Sequence, residues 1–148
     1  MTSGSILRLL AFGVFLLMPT FPAQSEKRVA LVIGNDRYTN LPTLQKAAND
    51  AAAVSDTLAK LGFDVVRGRD LGRQAMIDKI AEFTSKLEAG DTAMFFYAGH
   101  GVAIGGVSYL VPADTPAATQ EARVRGASIT EADVIAEFRP REHASRCL

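Results

Sequence analysis

The sequence predicts an open α/β sheet, mostly parallel, with helices on both faces. Three observations carry that expectation. Val29-Ala-Leu-Val-Ile33 and Thr92-Ala-Met-Phe-Phe-Tyr97 are apolar without alternation, as in strands buried on both sides. Between them, apolar residues recur at steps of three and four in two stretches, as on one face of a helix. Glycines at 34, 62 and 90 close these segments. Strand, helix, strand, helix, strand is the order of a parallel sheet joined by crossover helices. A length of 148 residues allows one such domain.

Taken in order, the first 25 residues read as a secretory signal: Arg8, an apolar run from Leu9 to Met18, then small residues at Ala23 and Ser25. The run is shorter than the ~20 residues a membrane span needs. Pro19 and Pro22 argue against an uncleaved anchor. The expected mature chain starts at Glu26, is secreted or periplasmic, and has no membrane attachment once cleaved. Its domain covers 26–138. The strand Arg28–Ile33 opens it and Gly34 stops it. A helix follows, with Ala51, Val54, Leu58 and Leu61 on one face, Asn49 or Asp50 as N-cap and Gly62 as stop. Phe63–Arg67 is a second strand. Met76, Ile80, Phe83 and Leu87 mark a second helix that ends at Gly90, and Thr92–Tyr97 is the third strand. Val102–Ile104 and Val107–Val111 form a hairpin around Gly105-Gly106. Pro116–Ala122 is Ala/Thr-rich and carries no periodicity. Thr130-Glu-Ala-Asp133 is a capping box that opens a last helix through Phe138. The tail 139–148 is neither helical nor strand-like, so a fourth strand is missing and the sheet is incomplete at its C-terminal end.

Composition excludes several functions. Sixteen Lys and Arg against 16 Asp and Glu rule out a strongly basic nucleic-acid binder. One cysteine excludes a disulfide framework and a multi-thiolate zinc site. Phosphate-cradling glycine motifs, a Gly-x-Ser-x-Gly elbow and a His-Glu-x-x-His pair are all absent, so no cofactor or metal is called for.

In open α/β sheets, ligands bind beyond the carboxyl ends of the strands. Gly34-Asn-Asp-Arg-Tyr38 and Ala98-Gly-His-Gly101 leave two such ends and share one rim. His100, set between glycines at the mouth of a buried strand, is placed to act as a general base. A turn histidine with no chemical role is the alternative reading.

Val29-Ala-Leu-Val-Ile-Gly-Asn35 with Tyr38, Asn49-Asp-Ala51, Leu58 with Gly62-Phe63, Phe96-Tyr-Ala-Gly-His-Gly101 and Tyr109-Leu-Val-Pro-Ala-Asp114 together resemble the caspase-like cysteine peptidase domain. The flavour is that of bacterial metacaspase-type homologues, and the match runs from about Val29 to Phe138. The resemblance implies a Cys-His dyad with His100 as its catalytic histidine. It implies that Asp50 helps line the pocket for a basic residue before the scissile bond. Asp50 also reads as a carboxylate favourable at a helix N-terminus. Gly99 and Gly101 match the loop along which substrate backbone approaches, the Gly99 amide facing the oxyanion. Turn geometry alone is the other account of both glycines. Calcium enters only as a suggestion of the resemblance, because the acids here show no spacing that demands a cation.

One departure is plain. The family's nucleophile closes a fourth strand in an Asp-x-Cys motif, and that segment is lacking. The single cysteine, Cys147, lies in the charged tail, 47 residues after His100. The resemblance therefore covers the large-subunit part, truncated before the nucleophile strand. A shifted frame, an early stop or a genuine end after Phe138 each fit. The expectation is a peptidase domain acting on peptides or proteins, inactive as this chain, with an exposed third-strand edge open to self-association. Two alternatives stay open: a non-catalytic pseudoenzyme that binds peptides or partners, and an α/β binding domain in which His100 is incidental.

Overall fold

The computed structural model describes residues 26–117 and 121–138. The expected signal segment and the tail with Cys147 lie outside the described residues.

Strand β1 (Arg28–Gly34) is buried at six of its seven positions and forms the centre of the fold. It pairs in parallel with β2 (Asp64–Arg69) on one side and β3 (Thr92–Ala98) on the other, giving the order β2-β1-β3. Both faces of β1 are apolar because both are covered. Val29, Leu31 and Ile33 pack with Met76, Ile80 and Phe83 of helix α2 (Arg73–Ser85) and with Val134 of helix α4 (Glu131–Glu137). Ala30 and Val32 face the other way, onto Ala51 and Leu58 of helix α1 (Ala47–Lys60). Each full-sized side chain buried here is worth about 1.5–3 kcal/mol. The predicted parallel sheet with helices on both faces is the observed one.

A second, antiparallel sheet follows β3. It holds β4 (Gly101–Ile104), β5 (Val107–Leu110) and β6 (Ile129–Thr130) in that order. Gly105 and Gly106, at φ +59° and +79°, make the two-residue turn between β4 and β5. Positive φ at both positions matches the right-handed twist of a hairpin. The Thr130 capping box is present: Asp133 N donates to Thr130 Oγ1 at 2.9 Å, and Thr130 N donates to Asp133 Oδ2 at 3.2 Å.

Several boundaries differ from the sequence expectation. Helix α1 starts at Ala47, with Lys46 as N-cap, and not at Ala51 behind Asn49 or Asp50. Its first turn is capped from a distance, since Ala48 N donates to Asp36 Oδ2 at 3.2 Å. Strand β2 runs two residues further than Arg67, and α2 stops at Ser85 although Leu87 still packs on the core. Helix α3 (Glu121–Ala127) overlaps the end of the Ala/Thr-rich stretch Pro116–Ala122, where no helix was expected. Among the described residues β3 pairs on one side only, with Met94 exposed.

Helix α1 and β1 touch at Gly34. A Cβ on Gly34 would lie 2.6 Å from Ala51 Cβ, 2.7 Å from Ala47 O and 2.9 Å from Ala48 Cα. Two of those atoms are backbone, so the clash has no rotamer escape. Gly34→Ala is expected to lower stability by about 1–3 kcal/mol, the range for overpacking, read as an earlier midpoint in urea. An unchanged midpoint would show that α1 can slide.

Candidate active site

The carboxyl ends of β1 and β3 form the rim on which the sequence placed its site. Asn35, the residue after β1, is fully buried and fully used. Its N–H donates to Ala98 O at 2.9 Å. Its side-chain Oδ1 accepts from Leu71 N at 2.9 Å, and Nδ2 donates to Leu71 O at 3.3 Å. A buried amide this well satisfied costs little and fixes geometry.

His100 is held at backbone and ring. Its N–H donates to Tyr38 Oη at 2.8 Å, and its carbonyl accepts from Val111 N and from Tyr97 Oη, both at 3.1 Å. The imidazole Nε2 stands 2.8 Å from the carbonyl of Pro42, with the Tyr38 ring edge-on at 4.6 Å between centroids. A carbonyl can only accept, so Nε2 carries the proton. In the neutral ring Nδ1 is then left with its lone pair and makes no bond among the described residues.

Two phenols support this loop. Tyr97 Oη shares its one proton between Val111 O at 2.8 Å and the more distant His100 O, and lies 3.3 Å from Tyr38 Oη. Burial pushes the Tyr97 phenol well above its ordinary range, so it stays a protonated donor. Gly99 is explained by the same pair: a Cβ there would meet Tyr97 Oη at 2.4 Å and Tyr38 Oη at 2.6 Å. Gly101 has no such constraint, because its nearest atom is Tyr109 O at 3.6 Å.

Asp50 sits in the first turn of α1, at the rim end of the helix that abuts Gly34. It is exposed, and its carboxylate accepts no bond among the described residues. The buried carboxylate near the rim is another one, Asp36, with Oδ2 on α1 and Oδ1 unpartnered. Asp114 of the Tyr-Leu-Val-Pro-x-Asp block caps α2 by accepting from Arg73 N at 2.8 Å. Asp70 accepts from the amides of Asp36 and Arg37 at 2.8 and 2.9 Å. Partial burial of the Asp70 carboxyl opposes ionisation. The amides of Arg37 and Asp36 and the charges of Arg69 and Arg37 outweigh it and hold the group below the usual carboxylate range.

The sequence reading brought His100, Gly99 and Gly101 to one rim, and the structure does the same. It did not single out Pro42, Asp36 or Asp70, and it used Tyr38 only as part of a motif. Pro42 acts through a carbonyl, which leaves no side-chain signal. Among the described residues no group of three or more His, Cys, Asp or Glu could hold a metal. A shallow cavity lined by Lys27, Arg28, Leu61, Asp64 and Lys86 lies at the opposite ends of the strands and has no part in this site.

Known proteins resemble this chain in sequence and in fold. A family model described as a caspase domain matches residues 27–134. The human mucosa-associated lymphoid tissue lymphoma translocation protein 1 and its mouse homolog are each 36% identical over 92 residues. Those matches cover 62% of this chain and 11% of the relatives, so the chain spans about a tenth of their length. The solved structure of protein GSU0716 from Geobacter sulfurreducens superposes with a TM-score of 0.57 at 20% identity. That likeness covers 75% of this chain and 44% of the other, and it speaks to the fold alone.

Two outcomes follow from the site geometry. Tyr38→Phe deletes the acceptor for the His100 amide, and its expected cost is about 1–3 kcal/mol in urea unfolding; no loss would mean that water replaces the phenol. The low carboxyl of Asp70 adds stability that is complete above the unfolded carboxylate range and is lost as pH falls through the folded value. The stability gap between wild type and Asp70→Asn should therefore narrow below about pH 4. A gap that stays constant into strong acid would show that the charge contributes nothing.

Proposed function

The chain belongs to the caspase-domain family, and we propose that it carries the histidine side of a cysteine endopeptidase site acting at basic residues. The observation that carries this reading is the Pro42 carbonyl at 2.8 Å from His100 Nε2. As an acceptor it keeps the ring proton on Nε2 and leaves the lone pair of Nδ1 as the base. A thiol brought to Nδ1 would lose its proton to the ring and attack the scissile carbonyl. The imidazolium then returns that proton to the leaving amine, and water, deprotonated by the same nitrogen, releases the acyl group. The Gly99 amide makes no hydrogen bond among the described residues, which supports its assignment as a donor to the oxyanion. Gly101, exposed at the start of β4, leaves room for substrate backbone. Asp50, exposed and unpaired at the rim end of α1, is the acid we assign to an incoming Arg or Lys.

The described residues contain no cysteine; the single thiol of the sequence is Cys147. That fact favours a second reading, a module that binds basic peptides on the same rim without cleaving them. An arginine-ended chromogenic peptide, assayed with and without calcium, separates the two. No turnover by the chain alone is the expected result for a domain that carries the histidine side only; turnover that vanishes in both His100→Ala and Cys147→Ala would instead make Cys147 the nucleophile of a working peptidase. Turnover surviving His100→Ala removes the dyad, and binding without turnover establishes the second reading. Export is part of the proposal: N-terminal sequencing of secreted protein should begin at Glu26, and a start at Met1 would refute cleavage.

A further inference from the structure

The carbonyl that fixes the His100 ring belongs to a segment without helix or strand, residues 36–44. This segment is a closed loop, because Leu44 N donates to Asp36 O at 2.9 Å. Its outer side is tied to the chain after β5: Thr39 N donates to Ala113 O at 2.9 Å and Asn40 Nδ2 to Thr115 O at 3.2 Å. At its neck one atom takes two amides. Asp70 Oδ1 receives both the Asp36 and the Arg37 amide, at 2.8 and 2.9 Å. Arg37 directly precedes Tyr38, whose phenol holds the His100 amide, and five residues further on is Pro42, whose carbonyl holds the ring. Both grips on His100 therefore lie in a loop anchored at its neck by these two amides and on its outer side by Thr39 and Asn40.

Asp70 itself has φ +49°, the one positive φ outside glycine among the described residues, and its N–H is spent on Gly34 O at 3.0 Å. An L side chain is disfavoured in that region, where glycine would turn the backbone at no steric cost. A turn needing only its shape would be better made by glycine. What glycine lacks is the acceptor oxygen.

We propose that Asp70 is a positioning residue for His100: its carboxylate clamps the neck of the 36–44 loop and so aims the Pro42 carbonyl at Nε2. The inference rests on His100 being the working base of this site. It acts at a distance, through two amides and a closed loop, and Asp70 touches neither the histidine nor a substrate.

The test observes the His100 ring without requiring turnover, so a silent peptidase assay leaves it intact. Imidazole nitrogen and Nε2–H signals are recorded by NMR on the full, isotope-labelled chain, with His100→Ala assigning them apart from His143. Asp70→Gly removes the acceptor while relieving the backbone; Asp70→Asn keeps an acceptor oxygen and tolerates the same φ. The expected result is a slowly exchanging Nε2–H in wild type and Asp70→Asn, lost in Asp70→Gly, with circular dichroism showing all three folded. Asp70→Ala, which also lacks the acceptor, replaces Asp70→Gly if that variant does not fold. A slowly exchanging Nε2–H kept in the acceptor-free variant would overturn the proposal, as would its loss in Asp70→Asn.

Discussion

The buried amide of Asn35 joins the three strand ends on which the rest of the rim is built. Parallel strands present their carboxyl ends side by side, but pairing alone does not set where the loops beyond them go. Asn35 sets it: its backbone reaches the end of β3, and its side chain grips both polar groups of Leu71 beyond β2. Because the residue is fully enclosed, leaving either side-chain bond unmade costs the desolvation of that group, about 1–3 kcal/mol. The loops of β1, β2 and β3 are thus tied into one arrangement at the rim. The clash that a Cβ at Gly34 would cause one residue earlier has the same effect on α1.

What was legible in the sequence follows from how local the governing interaction is. The Gly105-Gly106 turn and the Thr130 box are set by neighbours within a few residues, and both appeared where expected; the apolar run of β1 and the steps Met76, Ile80 and Phe83 of α2 were legible because burial writes its period into the sequence. The start of α1 was not legible, because its cap comes from Asp36, twelve residues upstream. The N-terminus of α2 is likewise served by Asp114, across the fold, with Gly72 at the N-cap position. A capping rule that reads adjacent residues misses both. His100 drew attention in the sequence because two glycines flank it at the end of an apolar run, although among the described residues β3 is an edge strand with no fully buried residue. Its partners Pro42 and Tyr38 did not, since one offers a backbone oxygen and the other lies 62 residues away.

The chemistry inherits this division. A histidine partnered by a carboxylate gains basicity as well as orientation, whereas a neutral carbonyl supplies orientation and a fixed tautomer. The rim keeps its carboxylates on other tasks: Asp36 on α1, Asp70 on the loop neck, Asp114 on α2. Asp50 alone among these four has no structural bond to lose. That separation leaves the imidazole with a neutral partner while the acids bear on position.

The two glycines beside His100 carry different meaning, although the sequence presents them as a symmetrical pair. Gly99 is required by packing: the hydroxyls of Tyr97 and Tyr38 occupy the space of a side chain. Any residue placed there displaces the phenols that hold the His100 backbone, so loss of activity at Gly99 would report on the loop before it reported on substrate. Gly101 meets nothing closer than 3.6 Å, at a carbonyl in ordinary contact, and its φ is not in the left-handed region. Neither space nor conformation demands glycine at 101. If that position matters, the reason lies outside the chain, in whatever approaches the rim. The asymmetry makes Gly101, and not Gly99, the place where a contact with substrate backbone can be told apart from the architecture beneath it.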